Sequence, residues 1–196
     1  MNFLAHAYLS GDNIKILLGN FIADFVKGKQ ALNQFEEEII KGVEFHRAID
    51  EFTDSHPVVR ESKNRLRPKY RHYAGVIVDV FYDHFLATHW KDFHHQSLAD
   101  FASVTYQTIQ SFSNILPEQV KYMLPYMIKG NWLVGYAKVS GIHGALSGMA
   151  SRTPFNSKME QASNDLNDHY ENFKEEFERF FPDLKGFSAK WLITNT

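Results

Sequence analysis

Three stretches of this chain carry an apolar stripe at helical spacing that is broken, on its own face, by acids, an amide or an imidazole. In residues 72–95, Val76, Val80, Ala87 and Trp90 share one face at about 100° per residue, and Asp79 and Asp83 fall among them. In residues 36–54 the stripe through Ile39 and Val43 continues into His46 and Asp50, with Asp54 one turn further. In residues 11–28 the stripe through Leu17 and Phe21 also carries Asn20 and Asp24. Each stretch is predicted to be a helix that brings an i, i+4 polar pair to the inside. Facing helices of a bundle build metal sites in this way.

The remaining pattern is also helical. Ser10-Gly11-Asp12 reads as a turn and cap, so the first long helix is expected over 12–27, ending at Gly28. Further helices are expected over 36–54, 58–71 with an interruption at Pro68, 74–92, 98–116, 119–139 with a kink at Pro125, and 141–152. Thr153-Pro154 reads as a cap followed by proline, opening a last helix that runs to 181, before Pro182. Its Phe173, Phe177 and Phe180 form a core stripe. No alternating run is flanked by hairpin turns, so the expected class is all-α, a helical bundle.

Composition narrows this frame. At 196 residues and 44% hydrophobic, the chain can bury a proper core, and one domain spanning 1–196 is expected. A net charge of −2 provides no global field toward nucleic acid or membrane. The absence of cysteine excludes disulfides, thiolate metal sites and thiol catalysis. The N-terminal residues lack the basic region of a signal peptide, and no apolar run approaches the ~20 residues of a spanning helix. A soluble, cytoplasmic protein is the resulting expectation.

Charge is locally uneven. Residues 58–71 hold Arg60, Lys63, Arg65, Arg67, Lys69 and Arg71 against the single acid Glu61. Such a run is either a solvated face or a docking surface for an acidic partner. The inward polar residues also admit two readings. They could be buried ion pairs, with Arg47 or Arg152 meeting some of the acids, which would make the chain a non-enzymatic bundle. Taken jointly, though, Asp24, His46, Asp50, Asp79 and Asp83 would destabilise the core unless a cation met them. Oxygen and imidazole donors without thiolate favour Mn²⁺, Mg²⁺ or Fe²⁺. A di-metal carboxylate oxidase is disfavoured because its Glu-x-x-His pairs are missing.

The segments MNFLAHAYLS, GNFIADFVKG, FHRAIDEFTDSHPVVRE, AGVIVDVFYDHFLATHW and LSGMASR, in this order, resemble the acyl carrier protein phosphodiesterase family. The resemblance implies an all-helical fold, divergently related to the HD-domain phosphohydrolases. It also implies Mn²⁺-dependent hydrolysis of the phosphodiester joining 4′-phosphopantetheine to the carrier's serine. The chain lacks the adjacent His-Asp dyad of the HD pattern and has only the reversed pairs Asp83-His84 and Asp168-His169. Joining the resemblance to the stripes, Asp24, His46, Asp50 and Asp83 are the first choice of metal ligands, with Asp79 and His6 next. His84 is a ligand or the acid for the leaving oxygen, and Arg47 and Arg152 hold phosphate oxygens. The basic run would steer in the acidic carrier protein. The competing activity is an HD-like phosphohydrolase for a nucleotide or another small phosphoester.

Overall fold

The computed structural model describes residues 1–195, which contain thirteen α-helices, three 3-10 turns and no strand among the described residues. In chain order these are α1 (Phe3–Leu9), α2 (Ile14–Ile22), α3 (Gly28–Leu32), α4 (Glu37–Ser55), α5 (Pro57–Tyr70), α6 (Ala74–Thr88) and α7 (Trp90–Phe93). There follow α8 (Leu98–Ser111), α9 (Glu118–Lys129), α10 (Trp132–Gly135), α11 (Val139–Arg152), α12 (Ala162–Asp168) and α13 (Tyr170–Asn195). The all-α expectation therefore holds. No described helix is long and apolar enough to cross a membrane.

The central element is α6, whose residues from Ile77 to Ala87 are buried around the helix except at Asp79. A helix that is apolar on all sides requires partners on all sides, and α6 packs against α1, α5, α11 and α13. From α13 come Phe173, Phe177, Phe180 and Phe181, all essentially fully buried. Phe81 meets Phe173 edge-on at 5.0 Å, and Tyr82 meets Phe177 at 5.7 Å.

Two helices lie closer together than any side chain would permit. A Cβ added at Gly19 on α2 would lie 2.0 Å from the Ile39 carbonyl oxygen and 2.7 Å from the Gly42 Cα on α4. The obstructing atoms are backbone, so no rotamer change relieves the clash. The approach matters because Asn20 and His46 follow directly along these helices.

Several predicted boundaries move. The expected helix over 12–27 ends at Ile22 and tightens into a 3-10 turn at Ala23–Phe25, which carries Asp24. The stretch 119–139 breaks at Gly130 and Asn131, the latter left-handed at φ 43°, and only the short α10 follows before α11. Thr153-Pro154 does not begin the last helix; residues 153–158 are irregular, and α13 starts at Tyr170. It then passes through Pro182. Proline inside a helix costs about 3 kcal/mol, but Phe180, Phe181 and Leu184 are buried on either side while Pro182 faces solvent. Burial of those three side chains outweighs the lost hydrogen bond.

The basic run of α5 is largely internal bracing. Arg65 grips Glu176 of α13 through both nitrogens, at 2.8 and 2.7 Å. Lys69 reaches Asp165 of α12 at 2.9 Å, and Lys63 is buried against Asp54 of α4. Arg60, Arg67 and Arg71 remain exposed. The run is therefore not one continuous free basic face.

Candidate metal centre

Asn20 organises the centre. Its amide nitrogen donates to the His6 carbonyl oxygen and to Ser10 Oγ, both at 2.9 Å. A carbonyl can only accept, so the orientation of the amide is settled and Oδ1 faces the imidazoles. His6 Nδ1 lies 2.7 Å from that oxygen. His46 Nδ1 lies 2.9 Å from the Asn20 carbonyl oxygen and 3.2 Å from Oδ1. All of these oxygens are acceptors, so both Nδ1 atoms must carry hydrogen. A neutral imidazole then presents its lone pair at Nε2.

Both Nε2 atoms point at carboxylates. Asp50 places Oδ1 3.3 Å from His6 Nε2 and Oδ2 3.1 Å from His46 Nε2. Asp24 Oδ1 is 3.3 Å from His46 Nε2. The rings stack with centroids 4.0 Å apart. His6 is 3% exposed, and its Nε2 has no hydrogen-bond partner of good geometry. One donor atom from each of His6, His46 and Asp50 lies within 4.8 Å of the others.

The electrostatics favour positive charge between these carboxylates. Burial works against a charged His46, but hydrogen bonds to Asp24 and Asp50 outweigh it and lift its pKa to about 9. Burial and the neighbouring His46 push His6 down to about 4. Asp24 is lowered, mainly by its hydrogen bond to His46. Burial would raise Asp50, yet His46 and His6 more than reverse this and hold it low. A proton on His46 thus stands where a cation would neutralise the two carboxylates. Lone pairs from two imidazoles and oxygens from Asp50 and Asp24 are donors that suit a divalent ion, and Asn20 is the outer partner that such histidines need. The residues fit a metal.

The centre opens into a cavity of about 1360 Å³ lined by parts of α1, α2, α4, α6, α9, α10 and α11. One end holds His6, Asn20, Asp24, His46 and Asp50. The rest is mostly apolar, with Met123, Trp132, Ala145 and Met149 around the glycine face of α11. An added Cβ at Gly144 meets nothing within 4 Å, so that face borders open space. At Gly141 the reason for glycine is different: a Cβ there would lie 2.0 Å from the Gly135 carbonyl oxygen, where α10 folds back on α11.

A family model described as acyl carrier protein phosphodiesterase matches residues 1–184. The chain belongs to that family. A relative named acyl carrier protein phosphodiesterase from Photorhabdus laumondii is 34% identical over 183 residues, covering 93% of this chain and 92% of the relative. A relative of the same name from Salmonella agona is 34% identical over 194 residues, covering 97% of this chain and 98% of its own. No solved structure matches significantly.

In this member of the acyl carrier protein phosphodiesterase family, the other predicted site residues separate by location. Asp83 is fully buried and outside the cavity lining. Its oxygens accept from the backbone N–H groups of Asn2, Leu4 and Ala5 at 3.1, 2.8 and 3.4 Å, which makes it the carboxyl group that caps the N-terminus of α1. Asp79 lines the cavity, but Oδ1 is 2.8 Å from the Met1 ammonium. His84 is buried, with Nδ1 2.7 Å from the Tyr136 carbonyl oxygen and Nε2 3.1 Å from the Tyr170 hydroxyl, and it does not line the cavity. Arg47 is exposed and donates to the Val26 carbonyl oxygen at 3.3 Å, while Arg152 lines the cavity from the end of α11. Of the six predicted ligands, the structure therefore gathers Asp24, His46, Asp50 and His6. Asn20 was visible on the stripe beside Asp24, but only the fold shows that it serves both histidines.

Proposed function

We propose that this chain hydrolyses the phosphodiester linking 4′-phosphopantetheine to the serine of holo acyl carrier protein, releasing apo carrier protein and free phosphopantetheine. The observation that carries the reading is the junction of the His6, His46, Asp50 and Asp24 donors with a long, mostly apolar cavity, in a chain of this family. A small phosphoester needs only the polar end. A cavity of about 1360 Å³ exceeds the roughly 300–1,000 Å³ of ordinary small-molecule sites and leaves room for a pantetheine arm beside the Gly144 face.

His6, His46, Asp50 and Asp24 would hold the ion, for which Mn²⁺ is the reading and Mg²⁺ or Fe²⁺ the alternatives. A divalent ion there supplies a water acidic enough to attack at neutral pH and offsets charge on the phosphoryl oxygens. Asn20 keeps both Nε2 lone pairs aimed at one point. Arg152 and Lys27 bring positive charge to the cavity for the non-bridging phosphate oxygens. Arg60, Arg67 and Arg71 are the part of the basic run left free for long-range attraction of an acidic carrier.

The test is incubation of holo acyl carrier protein with enzyme and Mn²⁺, followed by intact-mass measurement. Loss of the phosphopantetheine mass is expected, with no loss for Asp50→Ala. An unchanged carrier mass with Mn²⁺, Mg²⁺ and Fe²⁺ in turn would sink the reading.

A further inference from the structure

The two most exposed aromatic residues bordering the cavity are Tyr122 and Tyr126, one turn apart on α9 and 74% and 56% exposed. Their ring centroids are 5.4 Å apart with the planes inclined at 51°, so they form one aromatic patch facing solvent. Single exposed aromatics need no explanation, but a pair at the rim of a site cavity does. Aromatic side chains at such positions are the commonest anchors of protein interfaces, where Tyr combines area with little rotamer entropy.

Lys27 and Arg152 line the cavity, and neither has an ion-pair partner among the described residues. Glu118 of α9 also lines the cavity, and Lys121 pairs with it at 2.8 Å. With Asp24, Asp50 and Asp79 also in the lining, the opening carries both signs of charge and is aromatic at its α9 rim. No residue of α5 lines the cavity, and Lys63, Arg65 and Lys69 are tied to acids of the same chain.

From this we infer that the carrier protein seats on the cavity mouth, with Tyr122 and Tyr126 of α9 as its apolar anchors, rather than on α5. The inference rests on the carrier-hydrolysis reading above. A scissile bond tethered to a folded protein reaches His6 and Asp50 only if that protein sits over the opening through which the tether enters. The tyrosine pair supplies, at that opening, apolar contact area that attraction between charges alone does not.

Four variants test it: Tyr122→Ala/Tyr126→Ala, Tyr122→Asp, Tyr122→Lys, and Arg60→Glu/Arg67→Glu. For holo carrier hydrolysis, the tyrosine pair variant is expected to raise KM at least tenfold with kcat within about twofold. The Asp substitution should raise KM several-fold more than the Lys substitution at the same site, an asymmetry that a folding defect does not produce. The α5 variant should change KM only about two- to threefold, and the change should vanish in high salt. In parallel, binding of apo carrier protein to immobilised enzyme is measured with every variant. If wild-type enzyme does not cleave the carrier, the hydrolysis reading fails, but carrier binding that is lost in the tyrosine variant still supports the docking surface. Unchanged KM and binding in the tyrosine variant, larger losses in the α5 variant, or a rim that binds phosphatidylglycerol vesicles and not the carrier would each overturn it.

Discussion

A single amide determines how two histidines present themselves. Because Asn20 donates to His6 O and Ser10 Oγ, it must accept from the rings, and both Nε2 lone pairs converge on Asp50. Asn20→Ala should weaken Mn²⁺ binding roughly 10- to 100-fold, as loss of outer partners does elsewhere, while leaving the helices intact. Titration of Mn²⁺ against activity and by calorimetry reads this; unchanged affinity would remove Asn20 from the centre. Asp83 behaves differently. Burial lifts its pKa to about 7, opposed by the Met1 ammonium and the backbone donors. Its unfolded value is about 3.9, so the folded chain holds the extra proton between the two. Stability from this group is therefore complete below about pH 4 and is lost as pH rises through about 7. Between about pH 5 and 8, the urea midpoint of metal-free wild type should fall relative to that of Asp83→Asn, which cannot titrate; parallel curves would count against it. These two residues also mark what the sequence could reveal. An acid on an apolar stripe shows that something must meet it, and Asp24, Asp50 and Asp83 share that property. Whether the partner is a cation or a helix N-terminus depends on which backbone arrives from elsewhere, and the arrival of α1 at Asp83 has no local signature.

At the scale of elements, periodicity located most helices, and chain breaks were where it failed. Pro182 and Pro154 look alike in sequence, yet one lies inside α13 and the other in an irregular stretch. The difference is the apolar burial on both sides of Pro182, a tertiary quantity. The basic run of α5 was misleading for a related reason, because its acidic partners Asp54, Asp165 and Glu176 come from three other helices. Arg65 makes the point testable. Glu176 is 4% exposed and bound by both guanidinium nitrogens. Arg65→Ala should destabilise the fold by about 2 kcal/mol, below the full cost of orphaning a buried charge because Arg65 itself is partly solvated. Denaturant unfolding measures the loss, and kcat well below the melting temperature should not change. A raised KM without lost stability would instead assign Arg65 to the carrier.

For the molecule as a whole, the cavity joins the candidate metal donors to an apolar arm, and the arm can be closed without touching those donors. Gly144→Leu places a side chain in open space on a helix that favours leucine over glycine. Unfolding stability should hold or rise, Mn²⁺ affinity should stay constant, and kcat/KM for holo carrier should fall at least tenfold. Retained turnover would show that the arm is not where the pantetheine chain lies. The family and the all-α class were legible from motifs and stripes distributed along the chain, whereas the cavity was not: α9 and α10 contribute to it without any unusual residue pattern, and the small residues of α11 do not by themselves say which face borders open space. The contact between Gly19 and Gly42 has a final implication for how such a chain can change over generations. In an ordinary core, a bulkier side chain on one helix is rescued by a smaller one opposite. Here both partners are already the smallest residue available, so no second substitution can restore the fit. The two positions are each locked on their own, and drift elsewhere in the bundle must proceed around a fixed contact that admits no compensating pair.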